Sequence, residues 1–151
     1  MEKVTQFSIF LANKAGVLSR IFREMARTRV NISALAMMDA AEHGVLRMVT
    51  DEPDTARRTL GSLNLPITET DCLAVTLANR PGAVADICEK LANEHINVSY
   101  LYCTTGAAGG KTLAVLKVPD IKKAMKVLEN NKPTSRDEKP VARSPRMKVR
   151  R

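Results

Sequence analysis

The sequence has few aromatic residues and no long apolar run. Phe, Trp and Tyr make up only 3% of its 151 residues, and Trp is absent. Proteins that bind single-stranded nucleic acid usually stack bases on exposed aromatic side chains, so this scarcity argues against such a surface. No run of 18 apolar residues occurs, and the beginning, "MEKVTQFSIF", has neither a long apolar stretch nor a cleavage site. We therefore expect a cytoplasmic protein without a membrane segment.

Cysteine and histidine are too few and too scattered for a disulfide framework or a metal site. Cys72, Cys88 and Cys103 form no Cys-x-x-Cys pair, and their odd number leaves one over. His43 and His95 lie far apart in sequence. We expect reduced, mostly packed thiols and neither a metal nor a cofactor.

Positive charge is plentiful, but most of it lies at one end of the chain. The net charge is +8, and residues 131–151 hold eight Lys/Arg against two Asp/Glu, which leaves +2 for residues 1–130. This basic tail has three prolines and few apolar residues, a composition typical of disorder. It is either a solvated extension or an electrostatic arm for RNA, DNA or an acidic partner.

An internal repeat organises the rest of the sequence. "LANKAGVLSRIFREMARTRVNISALAM", from Leu11, aligns without a gap with "LANRPGAVADICEKLANEHINVSYLYC", from Leu77, at an offset of 66. Nine of the 27 pairs are identical, where random pairing would give about two. The same offset continues to Gly44/Gly110, Val49/Val115, Pro53/Pro119 and Asp54/Asp120.

The stretch "TTGAAGGKTL", residues 104–113, resembles the end of a phosphate-binding loop. That motif needs four residues between its first glycine and its Gly-Lys-Ser/Thr ending, whereas three separate Gly106 from Gly110. The repeat aligns the stretch with residues 40–44, which have no such motif. We expect both segments to be loops of β-hairpins in which glycine supplies a positive φ.

Each repeat has the pattern of one βαββαβ unit. A strand at 4–12 precedes an apolar stripe that is typical of an amphipathic helix and consists of Val17, Leu18, Ile21, Phe22 and Met25. Strands at 31–38 and 45–50, a helix that begins near Pro53 and a short strand at 65–69 complete the unit.

This order predicts an α+β fold of two ferredoxin-like βαββαβ repeats, with antiparallel sheets covered by helices on one face. The first domain would span residues 1–69, the second 70–131 with a helix at about 120–129, and the tail 132–151. The last strand of the second repeat would fall at 131–135, where the sequence is "NKPTS". We expect that strand to be missing, shortened or displaced.

Two stretches recur that the fold itself need not demand. Asn-Lys-Ala-Gly at 13–16 and Asn-Arg-Pro-Gly at 79–82 lie between the first strand and first helix of each repeat. The amide groups at a helix start have no partners within the helix and can hold a carboxylate. Alternatively, glycine serves only the turn and Asn only a local backbone hydrogen bond.

Asn31 and Asn97 begin the second strand of each repeat, although Asn is depleted in strands. Each either closes a turn or offers its carboxamide to a ligand that carries an ammonium and a carboxylate. The first helix would separate Asn13 from Asn31 by roughly 18 Å. We therefore expect Asn13 to meet Asn97, and Asn79 to meet Asn31, at an interface between repeats or subunits.

These residues resemble the ACT domain, a small regulatory module that binds amino acids. The motifs are Asn13-x-x-Gly16-Val17-Leu18 with Val30-Asn31-Ile32-Ser33, and Asn79-x-Pro81-Gly82-Ala83-Val84 with Ile96-Asn97-Val98-Ser99. The resemblance covers roughly residues 3–130 in two copies, although Ala15 replaces the family's common proline. It implies ligand sites between paired domains and sheets paired edge to edge, often across a dimer. The candidate ligand-binding residues are Asn13, Lys14, Ala15, Gly16, Val17, Asn31, Ile32, Asn79, Arg80, Pro81, Gly82, Ala83, Asn97 and Val98.

The sequence therefore predicts a cytoplasmic, non-enzymatic tandem ACT protein that senses an amino acid and modulates a partner enzyme or regulator. We expect a homodimer formed through sheet edges or helices. The small apolar residues Ala15, Val17 and Ala83 favour a small or aliphatic ligand. Two alternatives remain: the regulatory small subunit of a biosynthetic enzyme such as acetohydroxyacid synthase, and a nucleic-acid-associated protein that uses the basic tail.

Overall fold

The computed structural model describes residues 1–40, 43–105 and 110–130 of the chain. These residues form six strands and four helices in the order expected for two ferredoxin-like repeats. The elements are β1 (Glu2–Ala12), α1 (Val17–Arg27), β2 (Ile32–Ala40), β3 (His43–Thr50), α2 (Pro53–Ser62), β4 (Ile67–Ala78), α3 (Ala83–Asn93), β5 (Tyr100–Thr105), β6 (Lys111–Lys117) and α4 (Ile121–Glu129).

Each predicted element of the first repeat is present, and its apolar pattern explains its packing. In α1, Ile21 and Met25 are buried and the other members of the predicted stripe are partly buried against the same core. Pro53 lies in the first turn of α2, as expected. The helices α1 and α2 pack together, as do α3 and α4, so that each repeat has its own core beneath its own helices.

The strands form one antiparallel sheet in the order β2-β3-β1-β4-β6-β5. The two long central strands, β1 and β4, pair with each other, and Thr5 lies opposite Asp71. These two residues are 66 positions apart, the offset of the repeat. A pseudo-twofold axis therefore passes between them and relates the two halves of the sheet.

The strand expected at 65–69 and the first strand of the second repeat are one continuous strand, β4. The expected boundary at 69/70 consequently falls inside a strand. Beyond the pseudo-twofold axis, residues 72–74 of β4 pair with residues 2–4 of β1. Residues 2–4 of β1 thus occupy the edge of β4 with which a last strand of the second repeat would otherwise pair. The segment 131–135 expected to hold that strand lies outside the described residues.

Both glycine-containing segments join the strands of hairpins, as predicted, but the offset of 66 does not continue through them. Leu35 pairs with Met48, whereas its counterpart Leu101 pairs with Leu116. The offset is therefore 68 from β3 onward, because the second hairpin is two residues longer. The alignment of Val49 with Val115 and of Pro53 with Pro119 was wrong for this reason.

The expected positive φ at the hairpin glycines was also wrong for Gly44 and Gly110. Among the described residues, the glycines with positive φ are Gly16 and Gly82. Gly44 is instead a buried residue of β3, where an added Cβ would collide with the Cε of Met37. Its lack of a side chain leaves room for the end of the Met37 side chain of β2.

The sheet has a buried patch on the face that the helices leave open. A third cluster, formed by Ala34, Val49, Cys72 and Val115, is buried there. The edge strands β2 and β5 approach each other across this face, so the sheet is curled and encloses the patch.

The thiols are less uniformly packed than expected. Cys72 is buried and Cys103 is partly buried, but Cys88 is exposed on α3. No helix in the described part of the chain has the length and apolar character needed to cross a membrane.

Candidate functional site

The two strand–helix turns have nearly identical backbones. Gly16 has φ 88° and ψ −17°, and Gly82 has φ 87° and ψ −18°. In the same turns the Lys14 amide donates to the Ala12 carbonyl at 2.8 Å, and the Arg80 amide donates to the Ala78 carbonyl at 2.9 Å. Left-handed φ values favour glycine. The paired glycines of the sequence therefore mark one turn built twice.

Both helices that follow these turns have a glycine at the N-cap position. The residues before α1 and α3 are Gly16 and Gly82, which have no side chain to cap the helix. By contrast, Asp120 caps α4 by accepting a hydrogen bond from the Lys123 amide at 2.9 Å. The first amide of each helix donates a long hydrogen bond within the turn, from Val17 to the Lys14 carbonyl at 3.4 Å and from Ala83 to the Arg80 carbonyl at 3.3 Å. The helix dipole gives both helix starts a partial positive charge that attracts an anion.

The electrostatic surroundings of the two turns differ. The first turn of α1 contains no acidic residue, and both Lys14 and Arg20 are exposed beside it. The first turn of α3 contains Asp86, whose carboxylate binds Arg80 at 2.8 Å. Arg80 also donates to the Pro81 carbonyl at 3.2 Å. The second turn therefore carries its own carboxylate, whereas the first has basic side chains and no carboxylate in the first turn of its helix.

The predicted site residues differ in exposure. Asn13, Lys14, Ala15, Gly16, Asn31, Arg80, Pro81, Gly82 and Asn97 are exposed; Val17, Ile32, Asn79 and Val98 are partly buried; Ala83 is buried. The backbone amide of Asn31 donates to Asp51 Oδ1 at 2.9 Å, and the Asp51 amide donates to the Asn31 carbonyl at 3.1 Å. Because these bonds use only the Asn31 backbone, its carboxamide takes no part in them.

The expected pairing of asparagines does not occur within the chain. The strand registers place Asn31 level with Cys72 of β4. Asn79 lies seven residues farther along that strand, about 23 Å away. By the pseudo-twofold symmetry, Asn13 and Asn97 are separated by the same distance along the strands. The reason is that α1 and α3 do not lie side by side, since each packs with the other helix of its own repeat.

A polar network joins the two repeats inside the curled sheet. Fully buried Gln6 donates to Ser8 Oγ at 3.2 Å and to the Tyr100 hydroxyl at 3.0 Å, and it accepts from the Tyr102 hydroxyl at 3.1 Å. The Cys72 thiol lies 3.7 Å from Gln6 Oε1. Burial raises the pKa of Cys72, Tyr100 and Tyr102, so these groups are neutral donors near pH 7.

Sequence reasoning missed this network. Gln6 and Ser8 alternate with buried apolar residues of β1, a pattern that normally indicates a solvated face. The face is buried only because the sheet curls and brings Tyr100 of the far edge strand over it. Arg47 completes the arrangement, with its guanidinium carbon 3.6 Å from the centre of the Tyr100 ring.

The first repeat also has an apolar edge. The large exposed hydrophobic side chains of β2 are Leu35 (46%), Met37 (40%) and Met38 (48%), and Phe10 of β1 is exposed at 42%. The equivalent β5 residues are Leu101, Cys103 and Thr104, of which the first two are partly buried. Exposed apolar side chains along an unpaired strand edge mark a surface for association.

The residues described by the structure contain no group of three or more His, Cys, Asp or Glu that could hold a metal ion. The candidate site therefore consists of backbone amides, basic side chains and an apolar strand edge.

Comparisons with known proteins agree with this architecture. A crystal structure of a protein from Bacteroides thetaiotaomicron superposes with a TM-score of 0.77 at 29% identity, over 84% of this chain and 87% of that one. The ligand-free regulatory subunit of aspartate kinase from Thermus thermophilus superposes with a TM-score of 0.65 at 9% identity, over 85% and 96%. A structure of aspartokinase alpha and beta subunits gives 0.54 at 19% identity, over 85% and 95%. The last two likenesses concern the fold alone.

A search of curated proteins found no match. The family model of the ACT domain pair matches residues 2–143, which is nearly the whole chain. The chain therefore belongs to the ACT domain pair family.

Proposed function

We propose that this chain is a non-catalytic regulatory protein that binds a small amino acid at the turn Asn13–Val17 of the first repeat. The observation that carries the proposal is the charge at the start of α1, which follows a left-handed glycine, has no acidic residue in its first turn and lies beside two exposed basic side chains. Such a start attracts a carboxylate through its amides and dipole. Lys14 and Arg20 add positive charge at the same place.

The space around the turn favours a small ligand. A methyl group added to Gly16 would meet no atom within 4 Å, so the ligand can approach the backbone closely. Exposed Ala15 and partly buried Val17 provide short apolar contacts. These features suit a small or aliphatic amino acid better than a large or charged one.

The second half of the site would come from another copy of the chain. Ala12, His43 and Ala40 lie in one row across β1, β3 and β2, at the same end of the sheet as the turn. If two copies pair their β2 edges antiparallel, the beginning of one β2 meets the end of the other. Asn31 of the second copy would then lie beside the turn, and its carboxamide could bind the ammonium of the ligand. Leu35, Met37 and Met38 would be buried in this homodimer.

The regulated partner would be an enzyme or regulator of amino-acid metabolism in the cytoplasm. Support comes from the aspartate kinase regulatory subunit that shares this fold. A stable complex with a catalytic subunit would favour the small-subunit alternative over a free-standing sensor. Nucleic-acid binding that falls steeply with salt and depends on residues 131–151 would favour the third alternative.

The test is a thermal-shift screen of amino acids on variants that exchange the charges of the two turns. A ligand at 100 times its Kd stabilises the folded form by about 2.7 kcal/mol. Arg20→Asp places a carboxylate at the position that Asp86 occupies in the second repeat, and we expect it to abolish the shift without weakening α1. Arg23→Glu, one turn farther along, is the matched control and should retain most of the shift.

Asp86→Arg is the reciprocal change and should create a second, weaker site at the turn of α3. Equal ligand shifts in the wild type, Arg20→Asp and Arg23→Glu would refute binding at the first turn. A screen in which no amino acid stabilises the wild type would refute the sensing function itself.

A further inference from the structure

The backbone of Asn31 is held on both sides by a single residue, Asp51. The Asn31 amide donates to Asp51 Oδ1 at 2.9 Å, and the Asn31 carbonyl accepts from the Asp51 amide at 3.1 Å. The next pair along the two strands is Ile32 with Thr50, the first residue of β2 and the last residue of β3. Asp51 therefore extends the pairing of β2 and β3 by one residue beyond both strands.

The backbone of Asp51 is itself anchored to the fold. Asp51 lies in the short connection between the end of β3 at Thr50 and the start of α2 at Pro53. Thr50 is buried, and Ile32 opposite it packs against the core of the first repeat. Because the chain is fixed on both sides of Asp51, Asn31 is held by a residue that has a defined position.

The second repeat does not hold its asparagine in this way. With the offset of 68 that applies after the hairpins, Asp51 corresponds to Pro119, which has neither an amide hydrogen nor a carboxylate. In the part of the chain that the structure describes, no hydrogen bond involves the backbone of Asn97. Strand β5 correspondingly begins at Tyr100, two residues later than the position equivalent to the start of β2. The strand pairing therefore stops short of Asn97.

Holding the backbone of Asn31 reduces what a ligand must order when it binds. The bond to the amide restricts φ of Asn31 and the bond to its carbonyl restricts ψ, so the carboxamide extends from one backbone position. Ordering the backbone of one residue during binding would weaken affinity about tenfold. A side chain whose backbone is already in place avoids this loss. Asn31 is thus prepared for a ligand, whereas Asn97 is not.

We propose that Asp51 is a positioning residue of the amino-acid site, and that it selects the site at Asn31 over the pseudo-equivalent site at Asn97. The role rests on the function proposed above, in which Asn31 of one copy lies beside the turn of the other. Asp51 acts through the backbone of Asn31 and does not contact the ligand. Each chain accordingly binds one amino acid tightly, and any binding beside Asn97 is weaker.

The test compares the wild type with Asp51→Ala, which removes the acceptor of the Asn31 amide, and with Asp51→Asn, which keeps an acceptor but removes the charge. The affinities of the full chain for alanine and for valine are measured by isothermal titration calorimetry. We expect Asp51→Ala to weaken binding about tenfold and Asp51→Asn to retain the wild-type affinity. Equal losses in the two variants would show that the charge of Asp51 attracts the ammonium directly, which would overturn the positioning role.

Amide hydrogen exchange follows the positioning of Asn31 without a ligand. In the wild type, the Asn31 amide should exchange more slowly than the Asn97 amide. Asp51→Ala should abolish this difference, and Asp51→Asn should preserve it. Asp54→Ala is the matched control, because Asp54 is a nearby exposed carboxylate that binds Arg57 at 2.6 Å. It should lower the melting temperature slightly and change neither the exchange of Asn31 nor the affinity.

Failure of the positioning role is distinguishable from failure of the sensing function. If the wild type binds alanine or valine and Asp51→Ala binds it equally well, the positioning role is wrong and the sensing function stands. Two equally strong sites per chain, or equal exchange of the Asn31 and Asn97 amides in the wild type, would also overturn the positioning role. Absence of binding of both probes to the wild type would refute the sensing function and the positioning role with it.

Discussion

The two repeats share a backbone but differ in the chemistry of their surfaces. Their glycine turns agree within 1° in φ and ψ. Yet the turn of the first repeat is flanked by Lys14 and Arg20, whereas that of the second is neutralised internally by Asp86 and Arg80. The first repeat also carries the exposed methionines of β2. The two turns therefore share their backbone geometry, and the proposal that the first one binds a ligand depends on side-chain charge and exposure.

The difference extends to the interior that joins the repeats. The pseudo-twofold axis relates Gln6 to Cys72, so the same position of the central strands bears a carboxamide in one repeat and a thiol in the other. Gln6 bonds with Ser8, Tyr100 and Tyr102, whereas Cys72 makes only long contacts of 3.7 Å. The first repeat thus supplies the central carboxamide and the Ser8 hydroxyl, and the second supplies the two tyrosine hydroxyls and the thiol.

Truncation of Gln6, the centre of this network, should have the largest effect on stability of the substitutions described below. Gln6→Ala would leave buried hydroxyl groups without partners, and we expect a loss of about 3 kcal/mol in the free energy of unfolding. Cys72→Ala, at the equivalent position, should cost only about 1 kcal/mol because it removes a small side chain and weak contacts. Urea denaturation measures both values. Equal losses would show that the network has no special role in joining the repeats.

The exposed apolar residues of β2 offer a second way to test the difference between the repeats. Met38→Lys places a charge on the exposed edge of β2, and such charges block edge-to-edge pairing. We expect the proposed dimer to weaken at least tenfold, which corresponds to about 1.4 kcal/mol. Thr104→Lys changes the equivalent exposed residue of β5 and should leave association unchanged.

Sedimentation equilibrium of both variants gives the measurement. A wild-type protein that is monomeric at all concentrations would contradict the edge dimer directly. Weakening by Thr104→Lys rather than Met38→Lys would move the interface to the second repeat.

The fold could be predicted from the sequence because it depends on short-range patterns. The stripe from Val17 to Met25 and the proline at 53 determine local helices, and the repeat supplied the second copy. The glycines at 16 and 82 were correctly assigned to sharp turns because only glycine adopts that φ easily. Each of these inferences requires only neighbouring residues.

Short-range patterns did not predict which strands and helices lie next to each other in the structure. The merging of two strands into β4 and the curl of the sheet depend on contacts between residues far apart in sequence. These contacts separate Asn79 from Asn31, and they bury Gln6 on a face that its alternation assigns to solvent. The sequence alignment did not reveal the two extra residues in the second hairpin, because Gly44 and Gly110 align by chance. Only the strand registers show them.

An ion pair of the first repeat provides a further test of the difference between the repeats, with the smallest expected effect on stability. Arg57 of α2 binds Glu69 of β4 through two hydrogen bonds of 2.6 and 2.7 Å. With the offset of 68, Met125 occupies the position of Arg57 in α4, so the second repeat lacks this pair. The hydrogen bonds from Arg57 hold the pKa of Glu69 below its usual value.

Since the folded-state pKa is lowered, the contribution of Glu69 to stability is complete above its unfolded-state pKa of about 4.3 and is lost as the pH falls through the folded-state value. We expect Glu69→Gln to be slightly less stable than the wild type at pH 7 and to lose less stability on acidification to pH 3. The effect should be small because both side chains are substantially exposed. Arg57→Met also removes the hydrogen bond to Asp54 at 2.6 Å, so it should reduce the acid dependence at least as much as Glu69→Gln. The double variant should lose less stability than the sum of the two single losses. Additive losses in urea denaturation at the two pH values would show that Arg57 and Glu69 act independently.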